Sequence, residues 1–161
     1  MRITKDQPDR EKVLQEPRAI ASSAKPRLDA LQAGADAIRG AGGYRWLGLY
    51  DVLRETGLVT NLVYSGPGAP EYPTFPISKG LTGAAISSRQ TVNVGDVTAD
   101  SRYLTAFGST RSEIIVPLFT RERDEVVGTL DIESEQPYAF DAATQAFLEE
   151  CAEAIQPLWS A

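Results

Sequence analysis

The chain has 161 residues, of which 42% are hydrophobic and 24% charged, a length and composition that suit one compact domain without disulfides or structural metals. Its formal net charge is −6, and the basic residues are scattered, which disfavours nucleic-acid binding. The sequence contains no apolar run of the ~20 residues that a membrane span needs, and its polar start does not resemble a signal peptide. We therefore expect a cytoplasmic protein that binds neither nucleic acid nor membrane.

Cysteine and histidine, which carry much of the catalytic and metal-binding chemistry of proteins, are scarce. Cys151 is the single cysteine, and histidine is absent. This excludes an intrachain disulfide, Ser-His-Asp and Cys-His catalysis, histidine ligation of haem and most zinc sites. We expect neither a metal nor a cofactor, so any chemistry must come from carboxylates, lysine, tyrosine or hydroxyl side chains.

The N-terminal segment differs in character from the rest. Residues 1–17 are highly charged and contain two prolines, which predicts a flexible arm before a single domain over residues 18–161. From Ala19 to Ile38 apolar residues recur at three- and four-residue steps, and three of the next five residues are glycine. This pattern predicts an amphipathic helix, bent at Pro26, that ends at the glycines.

The residues after this helix predict two hairpins, two loops and two further helices. Residues 44–53 and 58–65 predict a hairpin, and the four prolines within residues 66–76 predict a loop without regular structure. A short helix at residues 81–88, a brief strand at 91–94 and a long loop follow. Residues 112–120 and 126–134 predict a second hairpin, before a final helix capped by Asp141.

This order predicts an α+β fold. We expect a central antiparallel sheet with the N- and C-terminal helices packed together on one face, and with the long loops and short helix covering a ligand pocket on the other. Strand periodicity sets the acids of the second hairpin, among them Glu113 and Asp131, opposite its apolar residues. We expect the acids to face the loops.

Residues 44–159 resemble a GAF domain, and within that superfamily they are most similar to the free methionine-(R)-sulfoxide reductases. Four segments carry the resemblance, in matching order and spacing: WLGLYDV, ISKGLTGAAISSRQTVNVGDV, SRYLTAFGSTRSEIIVPL and VVGTLDIESEQPYAFDAATQAFLEECAEAI. The resemblance implies a GAF fold and a pocket for a small ligand.

The sequence departs from the resembled reductases at the positions of their cysteines. At the positions of the reductases' cysteines this sequence has Tyr72, Thr82 and Ala106. Sulfoxide reduction needs a thiolate that attacks sulfur and a second thiol that resolves the intermediate, and neither a hydroxyl nor a methyl group replaces them. We therefore predict that the reductase activity is absent.

The positions that the resemblance assigns to ligand binding are better matched, with Trp46, Tyr50, Glu113, Asp131 and Glu133 in place. Two aromatic rings and three acids would suit a small ligand with a cationic or amino group. A structural interpretation stays open: Glu113 and Asp131 could anchor loops through backbone N–H groups, Trp46 could be a core residue, and Glu133 could lie at a solvated strand end.

Three functional hypotheses remain. The first is a sensory or regulatory module that binds a small metabolite and acts through a partner or its own homodimer, formed by the terminal helices. The second is a divergent reductase-like enzyme acting on a free amino acid, and the third is a structural dimerisation domain. Cys151 lies on the apolar stripe of the last helix, where we interpret it as a small buried hydrophobic residue.

Overall fold

The computed structural model describes residues 10–104 and 107–159. Its helices are α1 (Arg10–Ala21), α2 (Arg27–Gly42), α3 (Gly80–Ser88) and α4 (Ala142–Ile155), and its strands are β1 (Trp46–Leu53), β2 (Leu58–Ser65), β3 (Thr74–Pro76), β4 (Val92–Val94), β5 (Ser112–Phe119) and β6 (Val126–Ser134). Within these residues no helix is both long and apolar enough to cross a membrane. The predicted α+β class is confirmed.

One antiparallel sheet of six strands organises the fold, in the order β3-β2-β1-β6-β5-β4. Each predicted hairpin is present, β1 with β2 and β5 with β6. The two hairpins join through β1 and β6, which pair antiparallel over Trp46–Asp51 and Gly128–Glu133. Because β1, β6 and β5 are neighbours, side chains from distant parts of the sequence share one surface at the centre of the sheet.

Helices α1, α2 and α4 cover the opposite face, as predicted for the terminal helices. Here α2 packs on β1 and β2, α4 packs on β5, and α1 lies against both α2 and α4. Asp141 caps α4 by accepting a hydrogen bond from the Thr144 N–H at 2.8 Å, and Gly43 ends α2 with a φ of 63°, which glycine adopts without strain. The main apolar cluster between sheet and helices includes Leu31, Ile38, Leu47, Leu49, Ile114, Leu130, Ile132, Leu148, Cys151 and Ile155.

The N-terminal prediction is wrong in two respects. Residues 10–17, assigned to a flexible arm, belong to α1, and Leu14 is fully buried in the main apolar cluster; residues 1–9 lie outside the described part of the chain. The helix predicted over residues 19–38 is two helices, separated at residues 22–26. Pro26 lacks an N–H donor and disfavours helical geometry in the residue before it, so a bent continuous helix does not form.

The proline-rich segment also contains a strand that the sequence did not predict. Thr74–Pro76 pairs with Leu58–Thr60 of β2 and forms one edge of the sheet. Proline is compatible with an edge strand because its missing N–H need not reach a second neighbour. This short pairing fixes the end of the loop that borders the pocket described below.

The burial of Leu14 yields a test of the revised N-terminus. We expect Leu14→Ala to lower the free energy of unfolding by about 2–4 kcal/mol, because it removes buried methyl groups and leaves a cavity. The exposed neighbour Gln15 provides the matched control, with a change within about 0.5 kcal/mol for Gln15→Ala. Urea unfolding measures both, and equal stabilities of the two variants would restore the flexible-arm interpretation.

Candidate functional site

The predicted ligand-binding residues occupy one face of three adjacent strands: Trp46 and Tyr50 on β1, Glu113 on β5, and Asp131 and Glu133 on β6. Glu133 is the direct cross-strand partner of Trp46 on one side and of Glu113 on the other. These three side chains therefore form one row across the sheet, with Asp131 two residues further along β6 on the same face. The face is the one opposite the helices.

Gly48 shapes this face by lacking a side chain. It pairs with Asp131, and a Cβ atom at this position would overlap Cη2 of Trp46 and Cε2 of Tyr50. The two rings therefore occupy the volume that a side chain would need. The glycine lets the aromatic rings lie close over β1, beside the acids.

The three carboxyl groups are buried. Glu113, Asp131 and Glu133 are 8%, 4% and 2% exposed. The Thr82 hydroxyl on α3 donates to Asp131 Oδ2 at 3.3 Å, and the Tyr103 hydroxyl donates to Glu133 Oε1 at 3.2 Å.

The second oxygen of each of these acids, Asp131 Oδ1 and Glu133 Oε2, makes no hydrogen bond of normal geometry among the described residues, although the Thr129 hydroxyl lowers the pKa of Asp131 and the Thr110 hydroxyl lowers the pKa of Glu133. Such atoms are costly to bury, and both belong to the wall of one pocket.

Burial and mutual repulsion favour the protonated form of these acids. Burial raises the pKa of Asp131 from 3.8 to about 8, and the charge of Glu133 adds to the rise. Burial likewise raises the pKa of Glu133 from 4.5 to about 7, against the effect of the Tyr103 hydrogen bond. The pKa of Glu113 lies well above 4.5 because of burial and the nearby Glu133 and Asp131. Near neutral pH the cluster therefore retains protons.

These residues line a pocket that we call the acid pocket. Its remaining walls come from the loop before β3, from β3, from the start of α3 and from the segment before residue 105: Pro70, Tyr72, Phe75, Gly80, Leu81, Thr82 and Leu104. The cavity measures about 30 Å³, room for about two water molecules. An amino-acid-sized ligand would therefore have to displace part of the covering segments.

The three positions that we predict to replace the reductases' cysteines have different surroundings. Thr82 is buried and bonds Asp131, whereas Tyr72 is 44% exposed at the rim of the pocket; Ala106 lies outside the described residues. Cys151 is fully buried in the main apolar cluster, on the helix side of the sheet. Its predicted role as a buried hydrophobic residue agrees with this position.

Sequence reasoning missed two residues of the site. Tyr103 lies in a loop without periodicity, so nothing in the sequence placed its hydroxyl beside Glu133. Gly48 did carry a signal, since a glycine inside an apolar strand marks close approach by another group. No cluster of acidic residues or cysteine within residues 10–104 and 107–159 has the geometry of a metal site.

The raised pKa values of Asp131 and Glu133 predict a pH-dependent stability. Above about pH 4 the unfolded chain has given up these protons, whereas the folded chain keeps them up to about pH 7 at Glu133 and about pH 8 at Asp131. The free energy of unfolding therefore falls as pH rises through this range. We expect the melting temperature of Asp131→Asn to rise relative to the unmodified protein from pH 5 to pH 8. Each kcal/mol corresponds to about 2–4 °C, which calorimetric melting resolves.

The exposed turn residue Glu122 supplies the control for this measurement. Glu122→Gln should differ from the unmodified protein by a constant amount over the same pH range. A relative melting temperature of Asp131→Asn that stays flat or falls with pH would contradict the prediction.

Comparison with known proteins agrees with this fold. The family model described as "GAF domain" matches residues 26–156. The chain is 28% identical over 113 residues to Protein YtsP of Bacillus subtilis, covering 69% of this chain and 66% of that protein. It is 31% identical over 97 residues to the free methionine-R-sulfoxide reductase of Saccharomyces cerevisiae, covering 59% and 53%. Both matches thus span less than two thirds of the relative.

A solved structure is similar over a larger share of both chains. The free methionine-R-sulfoxide reductase of Neisseria meningitidis, in complex with its substrate, superposes with a TM-score of 0.84 at 28% identity, covering 93% of this chain and 87% of that one. The family match over most of the chain and the similarity of the whole fold support one assignment. The chain belongs to the GAF domain family.

Proposed function

We propose that the chain binds a small metabolite carrying an amino group in the acid pocket, as a sensory or regulatory domain acting on a cytoplasmic metabolite pool. The observation that carries the proposal is the pair of buried carboxylate oxygens, Asp131 Oδ1 and Glu133 Oε2, that make no hydrogen bond of normal geometry among the described residues. An ammonium group donates three hydrogen bonds and brings the opposite charge.

The rest of the wall supports this ligand class. No lysine or arginine lines the pocket within the described residues. The rings of Trp46, Tyr50, Tyr72 and Phe75 supply apolar and π-electron contacts for an alkyl chain and a cation. Tyr50 and Phe75 meet edge to face, with ring centroids 6.0 Å apart, so they form a preformed corner of the pocket.

Free methionine sulfoxide is the first ligand to examine, because the solved relative from Neisseria meningitidis is a reductase in complex with its substrate. Its amino group suits ionised carboxylates. Its sulfoxide oxygen is a hydrogen-bond acceptor and suits protonated ones, since a buried carboxylic acid that stays neutral can donate. The same three acids could therefore contact either end of such a molecule.

Reductase activity is the second candidate, and the named relatives favour it. The reaction transfers the sulfoxide oxygen to a thiol as sulfenic acid, and a second thiol then releases water as a disulfide forms. Cys151 is the single cysteine of the sequence, and it is buried across the sheet from the acid pocket. The position of this thiol is why we place binding ahead of catalysis.

A ligand panel tests the binding proposal. Free methionine sulfoxide, methionine and simple primary amines are titrated calorimetrically, with N-acetylmethionine as the matched compound without an ammonium group. We expect Asp131→Asn and Glu113→Gln to weaken binding of the amino compounds about tenfold or more, because each removes a charge-assisted contact. Glu122→Gln should leave affinity unchanged. If the two pocket variants instead lost stability without losing affinity, the acids would be loop anchors.

An activity assay separates the two candidates. With a dithiol reductant we expect no reduction of free methionine-(R)-sulfoxide above the protein-free background, because no described thiol faces the pocket. Turnover that disappears in Cys151→Ser would show that this cysteine reaches the substrate. Turnover that survives Cys151→Ser would require chemistry without a protein thiol, and either result would move the enzyme ahead of the sensor.

We propose further that the domain acts as a homodimer through its terminal helices. On α2, Leu28 is 55% exposed, even though α1 packs against both α2 and α4. Light scattering at tens of micromolar should give the mass of a dimer, and Leu28→Glu should shift it toward the monomer. A monomeric mass for the unmodified protein would contradict this assembly and the hypothesis of a structural dimerisation domain.

A further inference from the structure

The acid pocket brings three carboxyl groups together without a compensating cation. Glu113 and Glu133 are direct cross-strand partners, a relation in which Cβ atoms lie about 5 Å apart. Asp131 follows two residues along β6 on the same face. All three are more than nine-tenths buried, and Asp131 Oδ1 and Glu133 Oε2 make no hydrogen bond of normal geometry among the described residues.

The elements packed around the cluster add no positive charge. From β1 comes Tyr50, whose pKa burial and the three acids raise well above 10. From the loop before residue 105 comes Tyr103, whose pKa burial and Glu133 also raise. Helix α3 contributes the Thr82 hydroxyl and has no charged residue. Both tyrosines are neutral at physiological pH, so within residues 10–104 and 107–159 no cationic side chain lines the pocket as a charge partner of the cluster.

Two nearby basic side chains are directed elsewhere. Lys79, directly before α3, is exposed, and it is not part of the pocket wall. Arg102, next to Tyr103, forms an ion pair with Asp100 at 2.7 Å. Three ionised carboxylates in this space would repel one another strongly, since no basic side chain of the described residues lines the pocket. Protonation of the acids removes this repulsion when no ligand is bound.

We infer that the acid pocket exchanges protons for the cationic group of its ligand, so that each ammonium group that enters expels a carboxyl proton to solvent. The step is balanced: a carboxylic acid and an ammonium ion become a carboxylate–ammonium pair and one released proton. This inference rests on the proposed binding function and adds that pH regulates the binding. Binding of an amino compound tightens as pH rises and makes the site responsive to pH.

The sign of the pH dependence identifies which end of a ligand contacts the acids. An ammonium ion needs ionised carboxylates, so its affinity rises with pH until the acids have titrated, near pH 8 from the pKa of Asp131. A sulfoxide or amide oxygen needs protonated acids as donors, so its affinity would fall with pH and binding would release no proton. The two modes therefore give opposite slopes.

Calorimetry of the full chain measures the exchange. Methionine, methionine sulfoxide and N-acetylmethionine are each titrated at pH 5.5, 6.5 and 7.5, in buffers of low and of high ionisation enthalpy, so that the buffer-dependent heat counts released protons. For the two amino compounds we expect release approaching one proton per ligand and an affinity that rises up to about tenfold per pH unit. N-acetylmethionine should bind weakly and release none.

Variants assign the proton to the cluster. Asp131→Asn and Glu133→Gln keep the shape of the side chains but cannot ionise, so each should reduce the proton count and flatten the pH slope, while Glu122→Gln should match the unmodified protein. Infrared spectra give a readout without ligand. At pH 6.5 a protonated-carboxyl band should be present, weaken in Asp131→Asn, and weaken in the unmodified protein when an amino compound saturates it.

The outcomes separate this inference from the proposed function. Binding of amino compounds without proton release, or with an affinity that falls as pH rises, would overturn the exchange and leave the binding proposal intact. Absence of a protonated-carboxyl band in the ligand-free protein would also overturn it. No binding of any panel compound at any of the three pH values would overturn both.

Discussion

The register of β1, β6 and β5 is the constraint on which the rest of this structure depends. Side chains alternate between the two faces of a strand, so the pairing of Glu133 with Trp46 and Glu113 fixes both surfaces at once. It directs Leu130 and Ile132 into the helix-side core and the acids toward α3 and the loops. A slip of one residue would bury carboxyl groups among the helices, so the same register that builds the core positions the pocket.

This arrangement divides stability and recognition between the two faces of one sheet. Apolar burial against α2 and α4 stabilises the domain, whereas the acid face holds buried oxygen atoms that make no hydrogen bond of normal geometry among the described residues, and such atoms oppose folding. Thr82 and Tyr103 relieve part of that cost with one hydrogen bond each. Both come from segments that cover the pocket, so a ligand that pairs with the acids competes for, or completes, the contacts that hold the cover. A ligand bound as proposed would therefore be coupled to the order of the cover through the same two carboxyl groups, Asp131 and Glu133.

Much of the fold and the acid face could be predicted because period-two patterns and turn residues are local signals. The hairpins, the helix at residues 81–88 and the Asp141 cap are confirmed. Local signals did not predict the helix at the N-terminus, because the residues around Leu14 are mostly charged. This helix is stabilised by tertiary contact with α2 and α4. Tyr103 reaches Glu133 from a loop, and loop geometry is set by packing rather than by periodicity. Ligand contact by the five predicted residues stays a prediction.

Position 82 shows why binding and thiol chemistry are separable in this fold. The Thr82 hydroxyl donates to Asp131, a contact that a thiol, as a weak donor, would make poorly. Thr82, which the sequence resemblance aligns with a cysteine of the reductases, thus forms a hydrogen bond with one of the pocket acids. Cys151 cannot supply a thiol to the pocket by a local movement. It lies in the helix-side cluster, and the sheet separates it from the pocket. The hydroxyl at this position orients a carboxylate, and this contact is part of the support for our proposal that places binding ahead of catalysis.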